Sequence, residues 1–270
     1  MSGALLRRGA SAACSDAEQR LIARALSEGD PVTEPAHPYA GQYALSGPAK
    51  VRDPRVTPIR GDLADIALAG KLFAPHYVVP MERAVAVPFA AMRKTSQPGS
   101  EQTSELLQGE RFMVLDMAGD HAWGYCKHDC YNGYLALDAL ADPAGIPAPA
   151  PPPADPVDVA QGLLGMAYVW GGRGGAGIDC SGLVQTAFAR AGHQLPRDSD
   201  QQAESAGRLL GEGDASARGD LVFFRGHVGI LLDATTLLHA SQERGAVVIE
   251  PLADVAARKA GGIVARRRVL

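Results

Sequence analysis

The sequence lacks the features that nucleic-acid-binding and membrane-spanning proteins need. Its 26 Lys and Arg residues are outnumbered by 30 Asp and Glu residues, which gives a formal net charge of -4 at pH 7. A nucleic-acid partner would require a basic face, and the tight basic run of Arg266, Arg267 and Arg268 is typical of a solvated strand end. No window approaches an uninterrupted apolar span of about 18 residues. We therefore expect neither a nucleic-acid partner nor a membrane partner.

The N-terminus lacks the residue order of a secretory signal. Leu5 and Leu6 precede Arg7 and Arg8, whereas a signal peptide begins with basic residues and continues with about 7–15 apolar residues. The sequence as given therefore predicts a cytoplasmic protein. A periplasmic or extracellular location stays open as the alternative if further residues precede Met1.

Cysteine is scarce, with four in 270 residues, too few for a disulfide framework in a chain of this length. Cys126, His128 and Cys130 alternate with other residues, so an extended chain would put all three on one side. This spacing is compatible with zinc, but a structural zinc site usually takes four ligands from two well-spaced pairs, and no second pair exists. We predict a strand or hairpin with reduced thiols, and no metal site.

Proline is concentrated in one segment, residues 143–157, which we interpret as a linker. Proline at this density favours extended polyproline II, a semi-rigid spacer. The part after the linker, residues 158–270, has the length of one ordinary small domain. At the other end, residues 17–28 predict a helix within an N-terminal extension of residues 1–36.

Between the extension and the linker, residues 37–142 predict a small all-β domain with a packing segment at its start. From residue 84 onward, short apolar runs alternate with Gly, Pro, Asn and Asp, a pattern typical of a small barrel. The sequences Trp123-Gly-Tyr and Tyr131-Asn-Gly-Tyr-Leu, which follow Glu105-Leu-Leu-Gln-Gly-Glu, resemble a bacterial SH3-like domain. One copy of this domain is visible.

The strongest chemical signal is the sequence Asp179-Cys180-Ser181-Gly182, which follows a glycine-rich segment. An amphipathic helix begins here, with its apolar residues at helical spacing. Asp179 is the candidate N-cap, which places Cys180 in the first helical turn. Because a helix N-terminus favours negative charge, we expect the pKa of this thiol to be shifted toward the thiolate, the nucleophilic form.

Two histidines downstream complete a candidate catalytic set. His227 begins a strand-like run, and His239 lies twelve residues later in a second run. Two neighbouring antiparallel strands would bring their imidazoles together. A thiol nucleophile needs an adjacent base and a group that fixes the tautomer of that base. We assign Cys180 as nucleophile, His227 as base and His239 as the orienting group.

These motifs resemble the NlpC family of papain-like cysteine peptidases over essentially all of residues 158–270. They comprise Tyr-x-Trp-Gly-Gly, Asp-Cys-Ser-Gly, Pro-Arg-Asp-Ser, Gly-Asp-Leu-Val-Phe-Phe and Gly-His-Val-Gly-Ile. The resemblance implies an α+β papain-like catalytic domain preceded by the small all-β SH3-like barrel. It implies hydrolysis of murein peptides at the bond between the γ-carboxyl of D-glutamate and an L-diamino acid. No metal or cofactor is required. Tyr168 matches a family residue that can donate its hydroxyl to the oxyanion.

Some similar enzymes trim free murein peptides during peptidoglycan recycling and require an unblocked N-terminal L-alanine. The resemblance implies that Asp198 and Ser199 hold the peptide amine, with Asp179 and Ser181 flanking the cysteine. Asp198 is equally suited to cap the helix that follows, with Arg197 as a surface charge. From the SH3-like domain we select Tyr131 as a substrate contact, and we interpret Trp170 as a groove wall.

Other functions stay open at the level of sequence. Similar recycling enzymes often carry two SH3-like domains, and an open groove would suit an exported hydrolase that acts on intact wall. A thiol acyltransferase or amidase could use the same core, because a thioester can be passed to other acceptors. A non-catalytic wall-binding module is disfavoured by the intact set of Cys180, His227 and His239.

Overall fold

Two large β-sheets, four α-helices and a small two-stranded ladder make up residues 52–270, the part of the chain that the computed structural model describes. These residues belong to one compact unit. The predicted extension at residues 1–36, with its helix at 17–28, lies outside the described residues. Within the described part, no helix is both long enough and apolar enough to cross a bilayer.

The first half of the described chain is all β apart from short 3₁₀ turns. Its strands are β1 (Leu63–Asp65), β2 (His76–Val78), β3 (Met81–Val85), β4 (Phe89–Arg93), β5 (Gln102–Leu107), β6 (Arg111–Ala118), β7 (His121–Cys126), β8 (Asn132–Ala136) and β9 (Leu140–Ala141). β1 and β2 pair in parallel. The other seven form one antiparallel sheet in the order β5-β4-β8-β7-β6-β3-β9.

This seven-stranded sheet follows the alternation of its sequence. In β4, Ala90 and Met92 are buried, whereas Phe89, the first residue of the strand, is exposed. A strand with one face on the core requires this alternation. Met92 belongs to an apolar cluster with Leu106, Phe112 and other buried residues of the sheet. The all-β prediction is confirmed, whereas closure into a barrel stays a prediction because β5 and β9 stand at the two ends of the strand order.

The second half is an α+β arrangement. Its helices are α1 (Pro156–Gln161), α2 (Cys180–Ala189), α3 (Ser199–Ser205) and α4 (Leu252–Arg258), and its strands are β10 (Arg208–Leu209), β11 (Leu221–Phe224), β12 (His227–Leu231), β13 (Thr236–Ser241), β14 (Ala246–Pro251) and β15 (Ala265–Arg268). The strands form one antiparallel sheet in the order β10-β15-β11-β12-β13-β14.

The second sheet is covered by a helix on each face. On one face, Leu183 and Phe188 of α2 pack against residues of β12 and β13, including Ile230 and Leu238. On the other face, Val255 of α4 packs with apolar residues of β11, β12 and β13. With both faces buried, β12 is fully apolar apart from His227 and Gly229. Helix α2 therefore lies across the strands that carry the two histidines.

The proline-rich segment contacts both halves of the described chain. The carbonyl oxygen of Ile146 accepts a hydrogen bond from Arg111 of the first sheet, and that of Pro152 accepts from Arg190 at the end of α2. Asp155 caps α1, with Pro156 as the first helical residue. The domain boundaries drawn from the sequence stay predictions.

A buried ion pair joins the two halves directly. The carboxylate of Glu105 in β5 accepts hydrogen bonds from the backbone N–H groups of Arg173 and Gly175, at 2.9 and 2.8 Å. The Arg173 guanidinium lies 2.7 Å from the carboxylate of Glu110. Buried charges require such partners, so this contact fixes the first sheet against the glycine-rich segment that precedes α2.

Candidate active site

Cys180 is the first residue of α2, as the sequence predicts. The Asp179 carboxylate caps the helix by accepting a hydrogen bond from the Gly182 backbone N–H at 2.7 Å. Glycine is required at position 182, because a Cβ there would lie 2.3 Å from the carbonyl oxygen of Gly172. The Cys180 residue is only 5% exposed. The Asp-Cys-Ser-Gly turn thus buries the thiol at a helix N-terminus.

The strand that begins with His227 holds the thiol from the other side. Cys180 belongs to the same buried cluster as Val228, the second residue of β12. The nucleophile of α2 therefore packs at the start of β12. The structure therefore brings the helix carrying the cysteine and the strand carrying the candidate base together.

The two histidines are in direct contact. His227 Nε2 lies 2.7 Å from His239 Nδ1, and the ring planes are close to perpendicular at 76°. The contact follows from the antiparallel pairing of β12 with β13. Both imidazoles are buried. The predicted pairing of the two histidines is confirmed.

Glu250 extends this chain of contacts, and sequence reasoning missed it. His239 Nε2 lies 3.1 Å from Glu250 Oε2. Arg244 and Arg258 each lie 2.8 Å from the same carboxylate, and together with the hydrogen bond from His239 they lower the pKa of Glu250 to about 2 against the opposing effect of its burial. The available signal was the position of Glu250 near the end of the otherwise apolar strand β14. Its partner His239 lies on β13, and the sequence does not fix the register between these two strands.

The ionised Glu250 assigns the tautomers of both histidines. A carboxylate accepts only, so His239 carries its proton on Nε2 and offers the lone pair of Nδ1. His227 must then donate from Nε2 across the 2.7 Å contact. Its Nδ1 is left unprotonated, which is the state of a base that can take a thiol proton.

The free site holds a neutral thiol and a neutral imidazole. Burial raises the pKa of the Cys180 thiol to about 12, and the charge of Asp179 acts in the same direction. Burial lowers the pKa of His227 to about 3, with the interaction with the neighbouring His239 as the second cause. The predicted shift of Cys180 toward the thiolate is therefore wrong for the free site, because desolvation outweighs the helix N-terminus.

A cleft of about 610 Å³ opens beside Cys180, lined from both halves of the chain. Seven of the predicted site residues line it, namely Tyr131, Trp170, Asp179, Cys180, Ser181, Asp198 and Ser199. Trp170 is 56% exposed and donates a hydrogen bond from its indole to Glu101, which is compatible with the predicted groove wall. Tyr168 is half-buried against the core near the thiol, and burial is the main cause that raises its pKa.

Asp179 and Ser181 are bound by a buried arginine. The guanidinium of Arg197 donates to Asp179 Oδ2 at 2.6 Å and to Ser181 Oγ at 2.9 Å, and it reaches Ser104 of the first sheet. Arg197 is 1% exposed, so its interpretation as a surface charge is wrong. The pattern Pro-Arg-Asp-Ser did not reveal this, because the partners of Arg197 are distant in sequence.

Asp198 is both a helix cap and a cleft carboxylate. It is the N-cap residue of α3, and its backbone N–H donates to the side chain of Gln201. Its Oδ2 atom accepts from the hydroxyl of Tyr131, the residue directly before β8, at 2.9 Å, so this predicted residue of the first half does reach the cleft. Burial raises the pKa of Asp198 against the opposing effects of Tyr131 and Arg197.

Arg55, which precedes β1, is the second residue that sequence reasoning missed. Its guanidinium lies 2.8 Å from Asp198 Oδ2, and it also pairs with Asp53 and Asp200 at 2.7 Å each. Arg55 lines the cleft. The Arg55 guanidinium is therefore already paired with the Asp198 carboxylate, the group to which the resemblance assigns the amine of the substrate.

Comparison with known proteins finds one family match in each half of the described chain. Residues 165–263 match the NlpC/P60 family, and residues 92–140 match the bacterial dipeptidyl-peptidase Sh3 domain. A gamma-D-glutamyl-L-lysine dipeptidyl-peptidase of Bacillus subtilis is 36% identical over 100 residues, which are 34% of this chain and 33% of that protein. A probable endopeptidase p60 of Listeria monocytogenes is 44% identical over 91 residues, 32% of this chain and 18% of that protein.

The matched segments thus span a third or less of the length of these two curated relatives. Among solved structures, an NlpC/P60 family protein from Bacillus cereus aligns with 23% identity and a TM-score of 0.39, over 70% of this chain and 63% of that one.

Proposed function

We propose that this chain, which carries an NlpC/P60 domain behind a bacterial SH3 domain, is a cysteine peptidase of murein peptides that cleaves the γ-D-glutamyl–L-diamino acid bond. One observation carries the proposal. The thiol at the start of α2 lies next to the strand of His227, whose imidazole is oriented through His239 by the Glu250 carboxylate. Such a nucleophile, base and orienting group are the parts that acyl transfer requires.

The chemistry follows from the tautomers. The Cys180 sulfur attacks the γ-glutamyl carbonyl carbon while Nδ1 of His227 takes the thiol proton, so that charge is created only as the bond forms. His239 and Glu250 then stabilise the imidazolium through the contacts of 2.7 and 3.1 Å. The backbone N–H of Cys180, and the hydroxyl of Tyr168, donate to the oxyanion.

Collapse of this intermediate breaks the amide bond. The proton on His227 goes to the leaving amine of the diamino acid, and the glutamyl group stays on sulfur as a thioester. Water, deprotonated by the same imidazole, releases the glutamyl carboxylate and restores the thiol. These steps consume one water for each bond cleaved.

The residues of the cleft favour a free murein peptide as the substrate, which corresponds to a role in peptidoglycan recycling. The carboxylate of Asp198, beside the hydroxyl of Tyr131, is suited to the ammonium of an N-terminal L-alanine, because charge-assisted hydrogen bonds are the stronger ones. This role also carries the proposal of a cytoplasmic location.

Arg55 favours a second candidate, a hydrolase of intact wall. Its guanidinium is 2.8 Å from the carboxylate oxygen of Asp198 that would accept from the ammonium. A peptide whose amine is blocked by its attachment to the glycan does not compete for that oxygen. The wall-bound substrate therefore fits the cleft without displacing Arg55.

The test compares three substrates with the purified full chain. These are L-Ala-γ-D-Glu-diaminopimelate, the same peptide with an acetylated amine, and intact sacculi, with a lysine peptide to identify the diamino acid accepted. Cleavage restricted to the free-amine peptide supports recycling, and equal cleavage of the acetylated peptide or of sacculi supports the wall hydrolase. Cleavage of none of them contradicts the peptidase.

A further inference from the structure

A cluster of three metal-ligating side chains lies away from the candidate active site, at the turn between β7 and β8. Cys126 ends β7, and His128 and Asp129 follow in the turn. One ligand atom of each, the Cys126 sulfur, a ring nitrogen of His128 and a carboxylate oxygen of Asp129, lies within 4.8 Å of the other two. The turn folds the histidine and the aspartate back over the cysteine, whereas Cys130 is exposed and stands outside the cluster.

The sequence predicts no metal site at this turn, but the geometry points to a binding site for a divalent zinc ion, held by Cys126, His128 and Asp129 with water as the fourth ligand. A thiol and an imidazole select a borderline-soft cation over calcium or magnesium, which prefer oxygen ligands. Tetrahedral zinc places its ligand atoms ~3.5 Å apart, so movements of about 1 Å in side chains of the turn would bring the three atoms to that spacing. This site is independent of the proposed peptidase activity.

The ring nitrogen of His128 is the observation that separates this cluster from an ordinary turn. Its Nε2 atom is shielded from solvent, and no group among residues 52–270 makes a hydrogen bond to it. Nε2 lies 3.3 Å from Asp129 Oδ2, within ion-pair distance but without hydrogen-bond geometry. A buried nitrogen that makes no hydrogen bond is costly, and a metal ion between it and the carboxylate would satisfy it.

Two hydrogen-bond donors hold the Asp129 carboxylate of the cluster in place. Gln185 of α2 donates from Nε2 to Asp129 Oδ2 at 2.9 Å, and the backbone N–H of Tyr131 donates to Oδ1 at 3.0 Å. Such hydrogen bonds orient a carboxylate ligand. The guanidinium of Arg173 is the opposing charge nearby, and its ion pair with Glu110 at 2.7 Å offsets it.

The site would join the two halves of the protein. Asp129 belongs to the turn between β7 and β8 and Gln185 to α2, so an ion bound to Asp129 would stiffen the link between this turn and the helix that begins with Cys180. Access is available, because His128 lines the surface depressions on both sides of the turn. We assign the ion a structural role, since the cluster does not line the catalytic cleft.

Zinc binding by the full chain tests the site, in a Cys180→Ala background so that the catalytic thiol does not compete. Equilibrium dialysis gives the zinc stoichiometry, and cobalt substitution reports a sulfur-to-metal charge-transfer band. We expect one equivalent of zinc, a rise in Tm on binding and a cobalt–thiolate band. All three are expected to be lost in His128→Gln, at a partly exposed position, and in Cys126→Ala.

Two matched variants serve as controls. His121→Gln removes a histidine of the same hairpin that contacts Asp120 instead. Cys130→Asn removes the neighbouring thiol at a position with φ of 61°, which asparagine tolerates. Both are expected to keep the zinc, the Tm shift and the band. Absence of zinc binding by the parent, its retention in both ligand variants, or its loss in either folded control overturns the proposal.

Discussion

At the scale of single residues, burial and hydrogen bonds determine which atoms of Cys180, His227 and His239 carry protons. Desolvation keeps both Cys180 and His227 neutral in the free site, and Glu250 sets which ring nitrogens carry hydrogen. The sequence identified the cysteine and both histidines because their motifs are local. It did not predict the direction of the thiol pKa, because that depends on burial of the thiol by residues distant in sequence.

Replacing Glu250 by glutamine is expected to lower kcat/KM with little change in fold. A hydrogen bond to a charged group contributes about 1.5–3 kcal/mol, so the loss is roughly tenfold to a hundredfold. The amide can also donate to His239, which favours the wrong tautomer. Steady-state kinetics on the γ-D-glutamyl peptide measure the effect.

Glu212→Gln is the matched control for this variant, because Glu212 is exposed and does not line the cleft. It should retain the wild-type kcat/KM. Equal rates for Glu250→Gln and Glu212→Gln would show that Glu250 does not orient the histidines.

The lowered pKa of His227 predicts an acid-dependent stability. Its pKa is 6.5 when unperturbed and about 3 in the folded protein, so between these values the unfolded chain binds more protons. The free energy of unfolding therefore falls as pH decreases from about 6.5 toward about 3, by on the order of 4 kcal/mol from this group. Urea unfolding at the two ends of this range measures it, with His227→Gln as the comparison. An equally steep decline in His227→Gln would show that other groups cause it.

At the scale of elements, the start of α2 is held by the loop that precedes α3. Arg197 ties Asp179 and Ser181 to that loop and to Ser104 of the first sheet. The sequence predicts α2 and its cap, because capping and apolar spacing are local properties. The buried arginine and the strand register of Glu250 could not be predicted, because they depend on contacts between distant segments.

Arg197→Met is expected to destabilise the protein by about 3–5 kcal/mol, because it leaves the Asp179 carboxylate buried without its cation. Activity should fall as well, since Asp179 caps the helix of Cys180. Denaturant unfolding gives the free energy. Arg190→Met, which removes only exposed hydrogen bonds to the Pro152 carbonyl, should lie within about 0.5 kcal/mol of wild type. A similar small change for Arg197→Met would contradict this role.

At the scale of the whole molecule, the cleft is built from both halves. Tyr131 of the first half and Arg55, which precedes the sheets, both reach Asp198 of the second half. The sequence predicted the two domain types and the contact of Tyr131 with the cleft. It offered no signal for Arg55, which lies outside both matched domains.

Arg55→Gln is expected to lower KM for the free-amine peptide, because it releases Asp198 Oδ2 for the ammonium. Partly exposed ion pairs contribute at most about 1 kcal/mol, so the change is about fivefold or less. The acetylated peptide is the internal control, and its KM should not change. An equal effect on both peptides would mean that Arg55 does not regulate the amine end.

The most direct test of the central claim is hydrolysis of L-Ala-γ-D-Glu-diaminopimelate by wild type and by Cys180→Ala, with the products identified by mass spectrometry. The account predicts release of L-Ala-D-Glu and diaminopimelate by wild type and no turnover by the folded variant. Turnover by Cys180→Ala at the wild-type rate, or cleavage by wild type at another bond, would contradict it.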